Sequence, residues 1–122
     1  MPKEENIQPK YDLEQRTFQF AKRVRLYVKN LSKTTANIED GKQVIRASGS
    51  VGANYIEANE ALSKKDFLFR IKICRKEAKE SAYFLRLIYE TNAHEFEKEG
   101  MELGDEAIQL KKIFSSILEK SK

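Results

Sequence analysis

The 122-residue chain has one cysteine, one histidine, two prolines, five glycines and no tryptophan. A lone Cys74 excludes an internal disulfide, and with His94 as the single histidine the soft ligands are too few for a structural zinc site. No metal or cofactor is therefore expected. The scarcity of glycine and proline excludes collagen-like and low-complexity chains. No run of roughly 18 apolar residues is present to cross a bilayer, and the opening MPKEENIQPK lacks the apolar stretch of a signal peptide. A cytoplasmic protein without membrane contact is expected. Strand signals are missing as well: there is no Asn-Gly hairpin turn, no sustained two-residue alternation and no internal repeat.

What is present is a charged, helix-patterned chain. Hydrophobic residues make up 40% and charged residues 34%, with a formal net charge of +4, the composition of one globular domain. Residues 1–10 are polar, contain both prolines and are expected to form a flexible tail ahead of a folded domain over 11–122. Asp12 with Gln15 resembles a capping box, after which Leu13, Thr17, Ala21, Val24, Val28 and Leu31 recur at helical spacing. Asn37 with Asp40 offers the next cap, followed by Val44, Ser48, Val51, Tyr55, Ala58 and Leu62. Ser63 caps a third helix in which Phe67, Ile71, Cys74, Ala78, Ser81, Leu85 and Ile88 alternate steps of four and three. Residues 92–104 lose the period and read as a loop, with Asp105 capping a fourth helix that turns Ala107, Leu110, Phe114 and Ile117 inward.

Four narrow apolar seams can be buried only against one another. The expectation is an all-α fold, an antiparallel up-down-up-down four-helix bundle. Phe18, Leu26, Tyr27, Leu68, Phe69, Phe84, Ile113 and Leu118 fall off the seams and exceed what one bundle core can hold. Such a surplus points to a second contact surface, most simply another copy of the chain.

Candidate functional residues fall in three groups. The small residues Ser48, Gly49, Ser50, Gly52 and Ala53 read as a place where two helix backbones approach closely. Arg46, Ser50, Asn54 and Glu57 form a polar row beside them, either an interhelical network or a solvated face. A small ligand-binding or enzymatic bundle, with a polar site around Ser50, Asn54 and Glu57, is the alternative reading of that row. The third group is basic: Lys22, Arg23, Arg25 and Lys29 on the first helix, and Lys65, Lys72, Arg75, Lys76 and Lys79 on the third. Such faces suit the phosphates of RNA, DNA or a nucleoprotein complex, whereas six acids between Glu95 and Glu106 make an opposite pole. Cys74 on an inward seam reads as a small buried hydrophobe, and no catalytic residue is expected.

The block from Arg46 through Ala58 (RASGSVGANYIEA), then Ser63-Lys64-Lys65-Asp66-Phe67 and Glu77 through Leu85, resembles the four-helix bundle family that includes proteins encoded in 23S rRNA intervening sequences. The resemblance implies an antiparallel bundle assembling into rings, as homopentamers, without enzymatic activity. Accessory proteins of diversity-generating retroelements, which are similar, are associated with a reverse transcriptase and nucleic acid through basic surface. Arg46, Ser50, Asn54, Glu57 and Lys64 fall on the family motif, which implies a structural network or a subunit contact.

Overall fold

The computed structural model describes residues 9–122, with side chains from Leu13 onward. Four α-helices follow in order: α1 (Pro9–Lys29), α2 (Thr35–Asn59), α3 (Lys64–Thr91) and α4 (Glu97–Lys120), with a 3-10 turn at His94–Phe96 before the last. The described residues contain no strand. Helix α1 starts at Pro9, whose fixed φ and missing N–H suit a first helical position. Asp12, expected to cap it, therefore lies inside the helix, and of the expected tail residues 1–8 lie outside the described residues.

Side-chain caps set the starts of α2 and α3. The Thr34 hydroxyl, on an extended residue, accepts from the Asn37 N–H at 3.1 Å and opens α2. Asn37, expected in that role, is buried instead. Its Nδ2 donates to Ser32 O at 2.9 Å and to Asn92 Oδ1 at 2.8 Å, and Asn92 Nδ2 donates back to Asn37 Oδ1. This amide pair ties the α1–α2 turn to the end of α3. Ser63 caps α3 through the Asp66 N–H, as its sequence position predicts.

The largest departure from expectation is α4, which begins at Glu97, eight residues before Asp105. Gly100 and Gly104, read as loop residues, are helical. A Cβ on Gly100 would stand 2.5 Å from Tyr27 Oη and 2.6 Å from Tyr89 Cβ, so the glycine lets α4 lie directly on α1 and α3. Two glycines cost roughly 2 kcal/mol of helix propensity, which this packing outweighs. Glu97 and Glu99 in the first turn add a favourable interaction with the helix dipole.

Partners across the bundle run in opposite orders. On α1 and α2, Thr17 meets Gly52 and Val28 meets Gly41; on α2 and α3, Arg46 meets Glu77 and Asn54 meets Arg70; on α1 and α4, Arg16 meets Glu106 and Arg23 meets Glu99. These three antiparallel pairings fix the fourth, giving the expected up-down-up-down bundle with α3 packed between α2 and α4. Gly41 and Gly52 sit where an added Cβ would be 2.8 Å from α1 side chains.

The expected seam of α3 is buried from Ile71 to Ile88, and those of α2 and α4 largely agree. On α1 the stripe is rotated: Phe20 and Tyr27 are buried with Leu13, Thr17, Val24 and Leu31, while Ala21 and Val28 are only half-buried. Leu62 is 99% exposed rather than part of the α2 seam, because the helix stops at Asn59. Of the surplus apolar residues, Phe18, Leu26 and Phe69 are exposed, and Phe84, Ile113 and Leu118 pack against the core. Tyr27 belongs to the core itself; its hydroxyl donates to Phe96 O at 2.8 Å, and burial pushes its pKa up to about 12.

Two neighbouring glycines should respond with opposite signs. Gly100→Ala is expected to lower the urea midpoint, since overpacking of about 1–3 kcal/mol exceeds the propensity gain. Gly104→Ala, whose Cβ would be 3.8 Å from Tyr89, should raise stability by about 0.5–1 kcal/mol. Equal responses would contradict the close approach at Gly100.

Candidate nucleic-acid interface and interhelical network

Two members of the polar row join α2 to α3. Arg46 Nη2 donates to Glu80 Oε2 at 2.7 Å and to Glu77 Oε1 at 3.3 Å, while Nη1 reaches Glu77 Oε2 at 3.4 Å. The Glu77 side chain is only 8% exposed, so the guanidinium is what keeps a nearly buried carboxylate paired. The hydrogen bond to Glu77 in turn raises the Arg46 pKa. Two turns further along, Asn54 Oδ1 accepts from Arg70 Nη1 at 2.8 Å and Asn54 Nδ2 donates to Ser50 O at 2.9 Å. Ser50 thus enters through its backbone carbonyl, and both ends of the Asn54 amide are engaged. Glu57 and Lys64, the other motif positions, are exposed at the α2–α3 end.

The basic residues separate into two populations. Arg16 makes a two-pronged contact to Glu106, at 2.8 and 2.9 Å, and Arg23 lies 3.2 Å from Glu99 and 3.6 Å from Glu102. Half of the acidic pole is therefore spent within the chain, holding α4 to α1. Arg23, grouped with the phosphate-binding candidates, faces these carboxylates. Arg25 donates to Ala21 O and lies over Gly49, and Lys22 and Lys29 are exposed. His94 is exposed beside Glu97.

On α3 the arrangement differs. Lys65, Lys72, Arg75, Lys76 and Lys79 are exposed, and among the described residues no carboxylate pairs with them. At 3.6 residues per turn the four lysines fall on the side away from Ile71, Cys74 and Ala78, and Arg75 stands on its flank. Phe69 and Tyr83, 58% and 61% exposed, stand on the same outer side. Arg70 on the same helix is instead bonded to Asn54, and Arg86 is paired with Glu90. The result is a cationic, aromatic strip over the first two thirds of the longest helix. Composition showed the bases; the structure shows which of them are unneutralised.

Between α1 and α2 runs an apolar groove of about 550 Å³, floored by Gly49, Gly52 and Ala53 and walled by Phe18, Leu26 and Ile56. Lys22 and Arg25 stand on its rim. The small residues do bring α1 close to α2 at Thr17, yet they also leave this trough beside the contact. Ile56, 50% exposed, escaped the sequence reading because it lies off the seven-residue seam.

The reactive groups are muted. Cys74 is fully buried with its Sγ 3.3 Å from Val51 O, and burial pushes the thiol up to about 12, so it stays protonated at neutral pH.

Among the described residues, fold and surface together describe an all-helical bundle whose α3 carries an unneutralised cationic face. A model of the 23S rRNA-intervening sequence proteins matches residues 10–116, and the chain belongs to that family. It is similar to a protein of unknown function from the S23 ribosomal protein family of Bacteroides thetaiotaomicron, known from its crystal structure. The two are 27% identical with a TM-score of 0.76, over 90% of this chain and 97% of that one. A comparison with curated proteins finds no match.

Arg46→Ala should cost about 1–3 kcal/mol in urea unfolding, because it strands the Glu77 carboxylate. Glu77→Gln in that background should recover part of the loss, and no recovery would contradict the pairing. Cys74 gives a pH test. Its folded pKa lies above the unfolded value of 9.0, so the stability from burying the neutral thiol is present below pH 9 and lost as pH climbs toward 12. Cys74→Ala should flatten that part of the pH–stability curve.

Proposed function

We propose that this chain is a noncatalytic, self-assembling interaction protein that binds nucleic acid or a nucleoprotein complex through the outer face of α3. The observation that carries the reading is the set of unpaired cations, Lys65, Lys72, Arg75, Lys76 and Lys79, beside exposed Phe69 and Tyr83. Cations without carboxylate partners release counterions from phosphates on binding, and exposed rings offer stacking platforms for bases. Lys22, Arg25 and Lys29 are exposed on α1, the helix diagonal to α3 in the bundle, and so form a separate basic face, whereas Arg23 is occupied by Glu99. Self-association is supported by exposed Phe18, Leu26, Ile56 and Leu62, and the family resemblance suggests a ring of five copies in the cytoplasm.

The test is titration of labelled RNA and duplex DNA at low and physiological salt. Binding should weaken steeply with salt. The triple variant Lys72→Glu, Arg75→Glu, Lys76→Glu should reduce the salt slope by about 2–3 and affinity at least tenfold, with helicity unchanged. No binding even at low salt would remove the nucleic-acid reading.

A further inference from the structure

We infer that the apolar groove between α1 and α2 receives the α2–α3 turn of a second copy of this chain. The inference rests on the self-assembly part of the proposed function and says which surfaces meet. The groove is concave and apolar; of its three charged lining residues two are cationic, Lys22 and Arg25, and the third, Glu14, accepts a hydrogen bond from Asn59 of the same chain at 2.8 Å. The turn is its opposite. Leu62 stands 99% exposed at the tip, and Glu57, Glu60 and Asp66 line the hollow next to it. Among the described residues none of these three carboxylates has an ion-pair partner, whereas Glu77, Glu80, Glu99, Glu102 and Glu106 are all taken by arginines of the same chain. Arg70, which lines the same hollow, is turned to Asn54.

An exposed leucine beside acids without ion-pair partners and an apolar groove edged by two bases without carboxylate partners complement each other in shape and charge. The groove lies between α1 and α2, the acidic hollow between α2 and α3. Adjacent faces of one bundle are thus used, not opposite ones. A contact of two different patches is heterologous, and between adjacent faces each added copy turns relative to the last. Such a contact builds a ring where that rotation closes and a helical array where it does not.

Leu62→Asp at the tip and Phe18→Asp in the groove wall test this without disturbing the core, since both side chains are exposed. Mass is measured by light scattering, with helicity and melting temperature as folding controls. Wild type should assemble, and each variant alone should run as one chain. A 1:1 mixture should form a two-chain species, because each variant keeps the patch the other lacks. As a second route, Lys22→Glu or Glu60→Lys alone should weaken assembly at least tenfold, and the two combined in one chain should restore it. Variants that assemble like wild type would overturn this inference and leave self-assembly standing. Single-chain variants that do not pair would overturn it in favour of a like-with-like contact. A wild type that is itself a single chain would remove both this inference and the assembly reading.

Discussion

The inward stripe of α3 is the constraint on which the rest of the molecule depends. Ile71, Cys74, Ala78, Ser81, Leu85 and Ile88 are fully buried on a 28-residue helix that packs against both α2 and α4. Once that stripe is buried, every other position on the helix has its direction assigned. Arg70, Glu77 and Glu80 meet α2, Tyr89 meets α4, and Lys65, Phe69, Lys72, Lys76 and Tyr83 are left facing solvent. The cationic face is thus a consequence of the apolar repeat, offset from it by half a turn of helix.

Charge is then divided according to what each helix can reach. Carboxylates of α4 hold Arg16 and Arg23, and carboxylates of α3 hold Arg46. In each case a planar, multidentate arginine is used inside the chain, while lysines dominate the outer face. A net charge of +4 therefore understates the local field on α3, because much of the negative charge is neutralised elsewhere.

How legible this was in the sequence depended on whether local or tertiary information decides the position. The α3 seam and the Ser63 cap are local, and both were readable from spacing. The α1 stripe was not, because Phe20, Ala21, Val24, Tyr27 and Val28 cover two adjacent stripes and only docking selects one. The start of α4 was missed because Gly100 reads locally as a breaker, while its contacts with Tyr27 and Tyr89 lie far away in sequence. In the polar row, Arg46 and Asn54 were identifiable, but Arg70 looked like one more base in a basic run until its bond to Asn54 set it apart. Family membership fixes the fold and leaves the role to be argued from these surfaces.

The proposed nucleic-acid surface is the outer side of α3. Lysine acetylation footprinting, read residue by residue with and without bound RNA, tests it most directly. Lys65, Lys72, Lys76 and Lys79 should be protected, while Lys98 and Lys112 on α4 keep their full reactivity. Equal protection of the α4 lysines, or unchanged reactivity along α3, would contradict it.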